Sequence, residues 1–301
     1  MRPIHFIPSD TKIDFVAKRW WAFGATIFLL LVTFGALAVH GLNLGIDFKG
    51  GILIEAKAAQ PVDTASLREE LNQLGLGEVE LQQFGSPNDV LIRIQRQEGD
   101  EKAQMQAIQT VREKLGEGYE YRRVEVVGPT VGKELLHAGI LATVLAMFAI
   151  SVYVGLRFEW QFGLAALTAT FHDVVVTVGF FSVLHLDFNL TAVAALLTLA
   201  GYSINDTVVV FDRIRETLRR QKATDLRVII NDSVNQTLSR TTMTAGTTLL
   251  ALLPLVLMGG TTLINFAAAL TWGIFVGTFS SIYVAAALLI YMPPLRRMES
   301  K

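Results

Sequence analysis

The chain has 301 residues, 51% hydrophobic and only 18% charged, with a mean hydropathy of +0.43; that balance fits a polytopic membrane protein rather than two or three soluble domains. Its 26 Lys and Arg against 27 Asp and Glu give a formal charge of −1, which supports neither nucleic-acid binding nor a basic, surface-bound protein. Cysteine is absent, and His5, His40, His137, His172 and His185 show no metal-ligand spacing, so disulfides, thiolate chemistry and a metalloenzyme are set aside and no cofactor is expected.

A helix of about 18 to 25 apolar residues crosses the hydrocarbon core of a bilayer. Six segments meet or approach that length: 20–39, 138–156, 162–184, 188–211, 241–258 and 266–292. Lys18 and Arg19 precede the first, and Ala36-Leu37-Ala38 resembles a small-residue cleavage site. A secretory apolar region is only about 7 to 15 residues long, so 20–39 reads as a retained anchor. Basic residues set the orientation. With the N-terminus inside, the inner side carries Arg2, Lys12, Lys18, Arg19, Arg157, seven basic residues in 212–240, and Arg296, Arg297 and Lys301. The short outer loops, 185–187 and 259–265, carry no Lys or Arg. Both termini are therefore expected in the cytoplasm. Three regions follow: 1–40 with the N-terminus and first span, 41–134 as one large outside domain, and 135–301 with spans two to six.

Within 41–134 the periodicity alternates between that of strands and that of helices. Residues 51–57 alternate as a strand, and 64–75, after Asp63, read as a capped amphipathic helix. Strands at 78–84 and 90–95 are expected across a Pro87-Asn88-Asp89 turn. A helix over 100–115, ended by Gly116 and Gly118, and a strand at 119–127 complete a βαββαβ order, which suggests a split-βαβ, ferredoxin-like α+β fold. The segment 212–240 reads as an amphipathic helix-loop-helix whose Arg213, Arg215, Arg219, Arg220 and Lys222 contact lipid headgroups; docking of a cytoplasmic partner is the alternative.

An ionisable side chain at the centre of a membrane helix costs about 2.5 to 3.5 kcal/mol or more and needs a partner, a cavity or a function. Asp173 lies mid-span beside His172. Asp206 lies in the inner part of the fourth span in Gly201-Tyr-Ser-Ile-Asn-Asp206, and Arg240 opens the fifth ahead of Thr244, Thr247 and Thr248 on its own face. The two spans are consecutive and antiparallel, so Asp206 and Arg240 are expected at similar depth, able to meet. Thr198, Gly201, Tyr202 and Asn205 add a polar, small-residue stripe, with Ser203 nearby. Asp206 is the candidate for binding and releasing a proton, with Arg240 biasing its charge. A static Asp–Arg pair is the alternative, and His172 alone could satisfy Asp173. Gly273, Gly277, Ser280 and Ser281 in the sixth span read as a close-packing face. Gly128-Pro-Thr-Val-Gly132-Lys133-Glu134 is one residue short of a nucleotide loop and has Glu for Ser or Thr, so ATP use is unsupported. Ser203 has no His partner in its own span, which argues against an intramembrane protease.

The motifs Gly41-Leu-Asn-Leu-Gly-Ile-Asp-Phe-Lys-Gly-Gly51, Val-Gly-Pro-Thr-Val-Gly132, His172-Asp173-Val, Gly201-Tyr-Ser-Ile-Asn-Asp206-Thr with Phe211-Asp-Arg-Ile-Arg-Glu216, and Thr237-Leu-Ser-Arg240-Thr are together similar to those of the SecD/SecF protein-export family, in the resistance-nodulation-division superfamily. The resemblance covers nearly the whole chain. It implies half of a transporter core, six helices with one periplasmic domain, in the bacterial inner membrane. It also implies partnership with SecD, the SecYEG channel, YajC and YidC, and contact with a translocating unfolded polypeptide. In the family, proton-motive force is thought to drive movements of the periplasmic domains, and the proton-linked carboxylate and arginine map onto Asp206 and Arg240. No enzymatic activity is implied, only a proton gradient as energy source. A small-molecule antiporter would ordinarily need larger or paired outside domains; a plain scaffold would tolerate Asp206→Asn and Arg240→Lys.

Overall fold

A computed structural model describes residues 11–77, 79–221, 224–258 and 260–293. Arg2, His5, Glu78, Lys222, Arg296, Arg297 and Lys301, used above, lie outside them. The chain divides into two compact units. One comprises Met1–Asn43, Leu141–Leu186 and Thr191–Lys301, the other Leu44–Ile140 and Asp187–Leu190.

The second unit is an α+β domain. After helix α1 (Arg19–Val39) and a four-residue helical turn α2 (Ile46–Lys49) come β1 (Gly51–Ala58), α3 (Thr64–Asn72), β2 (Val79–Phe84), β3 (Ser86–Ile94), α4 (Glu101–Leu115) and β4 (Tyr119–Val127). The strands form an antiparallel sheet in the order β2-β3-β1-β4, the ferredoxin-like topology expected from the βαββαβ sequence. Alternation along β1 drives this arrangement: Ile52, Ile54 and Ala56 join Leu67, Leu71, Ile108 and Val111 of the helices in one core, while Leu53 turns to the other face with Ile46 and Leu91. Both helices start on an aspartate. Asp63 accepts from the amides of Ala65 (3.0 Å) and Ser66 (3.5 Å), and Asp100 from those of Lys102 (3.1 Å) and Ala103 (3.4 Å). At the head of β1, Gly51 has φ +130°, and a Cβ there would stand 2.8 Å from the Ile94 carbonyl oxygen, so the neighbouring strand excludes a side chain.

One turn falls elsewhere than the residue types suggest. The β2–β3 reversal is at Gly85 (φ +65°), and Pro87-Asn88-Asp89 belong to β3. Side chains occupy the irregular stretch: Ser86 Oγ donates to Asp89 Oδ2 (2.9 Å) and Asn88 Nδ2 to the Ala58 carbonyl (3.1 Å). A polar Pro-Asn-Asp run thus makes a strand irregularity, and the left-handed glycine makes the turn.

Six helices among the described residues are long and apolar enough to cross a membrane: Arg19–Val39, Val131–Arg157, Trp160–Val183, Leu190–Arg220, Leu226–Met258 and Leu263–Tyr291. They belong to α1, α5 (Pro129–Arg157), α6 (Trp160–Val183), α7 (Leu190–Arg220), α8 (Leu226–Met258) and α9 (Gly260–Ser280) with its continuation through a π-helical turn, Ser281–Ala285. Burial sorts them, since the most apolar stretches of α6, α7 and the last helix are 61%, 50% and 61% buried, against 11 to 17% for α1, α5 and α8. Close approaches between helices pass through glycines. A Cβ on Gly163 of α6 would lie 2.9 Å from Gly155 Cα of α5, and one on Gly273 of α9 would lie 2.6 Å from the Leu199 side chain of α7.

Several helices outrun their apolar stretches. α5 starts at Pro129, a residue preset for the first helical position, so the nucleotide-loop lookalike lies largely in a helix. α7 continues to Arg220 and α8 begins at Leu226. The segment expected as a helix-loop-helix at 212–240 is therefore largely the adjoining ends of two membrane helices, whose Phe211, Ile214, Ile229, Ile230 and Val234 pack with Phe158 and Phe162. Arg213 pairs with Glu216, and Arg220 meets the same residue at 2.6 Å.

Candidate intramembrane polar site

Asp173 is completely buried and joins three helices. Its Oδ2 accepts from Ser203 Oγ of α7 at 2.5 Å and from Ser280 Oγ of α9 at 2.7 Å; its Oδ1 meets His172 Nδ1 of its own helix at 3.0 Å. Gly277 makes the approach possible, because a Cβ there would already stand 3.3 Å from Ser203 Cβ and 3.5 Å from Asp173 Oδ2. One helical turn along α7, Thr207 Oγ1 and Ser281 Oγ lie 2.8 Å apart, and Ser281 Oγ reaches the Ser203 carbonyl at 3.4 Å. The π-helical turn opens at that same Ser281; such turns concentrate at functional sites. Asp173 is thus satisfied by His172 and two serines together, not by His172 alone. The imidazole's Nε2 is buried without a hydrogen-bond partner.

Asp206 sits differently. It is 3% exposed, and its Oδ2 is buried with no hydrogen-bond partner. Arg240, with its side chain exposed, acts on it electrostatically, but no ion pair within 4.0 Å joins the two. They share a field without touching. The Tyr202 hydroxyl lies close to Thr248 without a hydrogen bond of normal geometry, and Thr241 Oγ1 is another buried oxygen without a partner. The threonines that share the Arg240 face donate to their own helix: Thr244 to the Arg240 carbonyl (3.0 Å), Thr247 to that of Met243 (2.9 Å) and Thr248 to that of Thr244 (2.9 Å). Shared helical face is not shared hydrogen bonding.

Of the polar stripe of α7, Thr198, Gly201 and Asn205 are exposed, at the i, i+3, i+7 spacing of one helical face, while Tyr202 is half-buried. Arg240, Met243, Thr247 and Leu250 form an exposed face on α8. Ser280, Ser281 and Thr207 are polar members that sequence reasoning missed; the Ser-Ser pair after Gly277 was visible but read only as packing. Among the described residues no three His, Asp or Glu side chains gather as a metal site.

Residues 107–294 match the family described as "Protein export membrane protein SecD/SecF, C-terminal", and residues 35–62 match the "SecD/SecF GG Motif". The protein translocase subunit SecF of Magnetococcus marinus is 48% identical over 96% of this chain and 94% of its own length. The chain belongs to the SecF family. The SecF of Rickettsia felis is 43% identical, covering 95% of this chain and 94% of its own. Among solved structures, SecDF from Thermus thermophilus, described as a translocon-associated membrane protein, matches with a TM-score of 0.85 at 35% identity over 96% of this chain and 39% of that one. SecDF in a super-membrane-facing form matches with a TM-score of 0.70 at 35% identity, over 97% and 40%. This SecF-family chain therefore spans about two fifths of the SecDF chains. It is a multi-pass membrane protein of a protein-export family, with one α+β domain.

Proposed function

We propose that this chain is one half of a SecD–SecF pair in the bacterial inner membrane, where the pair uses the proton-motive force to complete export of unfolded polypeptides through the SecYEG channel. Both termini are cytoplasmic, the α+β domain is periplasmic, YajC and YidC are neighbours, and no bond-making chemistry is assigned. Asp206 binds and releases the proton, Arg240 biases its charge, and the hydroxyl network around Asp173 supports the helix that carries Asp206.

The observation that carries this reading is the unpartnered, buried Oδ2 of Asp206 on a helix whose next face, Thr198, Gly201 and Asn205, is polar and exposed. A buried acceptor left alone calls for water, a proton or a partner. A polar face turned to lipid is costly, so a second set of helices is required to cover it. The Arg240 charge, acting from a distance, biases the carboxyl without locking it. A proton crossing the potential supplies about 2.3 kcal/mol per 100 mV, enough to shift a conformational equilibrium.

The test is secretion kinetics after ATP-driven initiation, with and without a proton gradient, in wild type, Asp206→Asn and Arg240→Lys. Wild type should accelerate under the gradient and the variants should not. Equal export by wild type and Asp206→Asn, both indifferent to the gradient, would leave the scaffold reading in its place.

A further inference from the structure

The α+β unit includes four residues from far along the chain, Asp187–Leu190, the loop between α6 and α7. Its hold on them is extensive. Leu44 bridges Phe188 in parallel, and the Gly45 amide donates to the Phe188 carbonyl at 2.8 Å. The Phe48 and Phe188 ring centroids are 5.9 Å apart. Gly45 lets the strands close, since a Cβ there would be 3.1 Å from Asn189 Cβ. Arg93 of β3 forms ion pairs with Asp187 and, at 3.3 Å, with Glu80, and the Arg93 and Asp187 side chains are only 11% and 14% exposed. Asp47 Oδ2 accepts from the Leu190 amide at 2.9 Å. Leu190 is the first residue of α7, whose opening amides have no partner within the helix, so Asp47 caps it with a carboxylate at the positive end of the helix dipole. The same turn seats α5: a Cβ on Gly132 would stand 2.6 Å from the Phe48 carbonyl oxygen.

From Leu190 the helix runs unbroken to Asp206, 206 − 190 = 16 residues, or about 24 Å of rigid rod. We propose that Asp47 and Arg93 are positioning residues: they fasten the start of the proton-binding helix to the sheet, so that a displacement of α7 is passed to the α+β domain. The inference rests on the proposed proton-driven role, and adds the parts through which force leaves the membrane. Burial makes the Arg93 attachment demanding. Desolvation lowers the guanidinium's pKa from its ordinary value while Glu80 opposes the shift, so loss of an acidic partner strands a poorly solvated cation.

The experiment uses the full chain reconstituted with its SecD-type partner in proteoliposomes, with a spin label at exposed Met105 of α4 reporting distance to a lipid-bound label. An imposed proton gradient supplies the drive, a pH dye inside the vesicles reads proton entry, and amide exchange reads loop 187–190. Asp47→Ala and Arg93→Gln should cut the gradient-dependent displacement about fivefold or more, the lower end of ordinary allosteric coupling. They should also speed exchange in the loop and leave proton entry near the wild-type rate. Asp47→Asn, which keeps an acceptor oxygen for the Leu190 amide, should restore most of the displacement. Wild-type displacement in Asp47→Ala and Arg93→Gln overturns the inference alone, as does a loss of proton entry in step with displacement, which places the defect at Asp206. A wild-type complex with no displacement under a gradient overturns the proposed function and this inference with it.

Discussion

Replacing Asp173 by leucine tests whether this carboxyl holds α6, α7 and α9 together. The substitution removes the acceptor for Ser203, Ser280 and His172, three hydrogen bonds in a site closed to solvent. Polar contacts between membrane helices are worth about 0.6 kcal/mol on average and about 1.7 at most, so three amount to about 2 kcal/mol and at most about 5. The donors left behind push the value toward the upper end, since an unmatched buried donor costs more than a matched one returns. Asp173→Asn keeps one carbonyl oxygen for the hydroxyls and turns its NH2 toward an imidazole that can accept in its other tautomer, so a loss of about 0.6 kcal/mol or less is expected. Equilibrium unfolding in mixed micelles, followed by the fluorescence of Trp272 on α9, measures both. A double-mutant cycle sharpens the result, because Ser280→Ala should destabilise wild type yet cost nothing further in Asp173→Leu. If leucine is as stable as aspartate, or if Ser280→Ala costs the same in both backgrounds, Asp173 does not hold these helices together.

Gly51→Ala would force a side chain into a left-handed backbone 2.8 Å from the Ile94 carbonyl oxygen, and should cost more than about 1 kcal/mol, read as faster proteolysis of the α+β unit. Asp63→Ala removes the α3 cap and should lower the stability of the same unit by about 1 kcal/mol in denaturant unfolding. Burial, joined by Glu70, raises the Tyr119 pKa, and burial against the opposing charge of Arg112 raises that of Tyr121. Above the ordinary tyrosine value of about 10 the unfolded chain releases protons that the folded one keeps, so stability should fall as pH rises beyond that point. Tyrosinate absorbance should show these two hydroxyls ionising late, and Phe substitutions should remove the effect.

The α+β fold was legible because its signals are local. Alternation in β1, aspartates ahead of α3 and α4, and Gly116 closing α4 at φ +70° each act within a few residues. The β2–β3 turn was misplaced because Pro87-Asn88-Asp89 carries stronger turn chemistry than the single Gly85 that makes the reversal. Span lengths fell short at α5, α7 and α8 because hydropathy reports contact with lipid, whereas a helix continues until something breaks it. In the polar site, the type of each key residue stood out, but its partners did not. Ser203 and Ser280 lie 30 and 107 positions from Asp173, and nothing in one sequence pairs residues so distant. Thr244, Thr247 and Thr248 show the converse error: periodicity gave their face correctly, while their hydroxyls had a nearer acceptor in the preceding turn.

The placing of β1 in the middle of its sheet bears on how the protein is made. Its Gly51 pairs with Val127, 127 − 51 = 76 positions later, while its other edge awaits β3. A nascent chain stalled anywhere in between holds a strand rich in isoleucine and leucine with at least one edge open, the kind of surface that recruits stray strands. Only synthesis through the last residue of the soluble segment closes it. Ribosomal pausing or truncation before that point should therefore yield an aggregation-prone product rather than a smaller working domain, and the interval in which a chaperone is needed ends just as the second membrane helix begins.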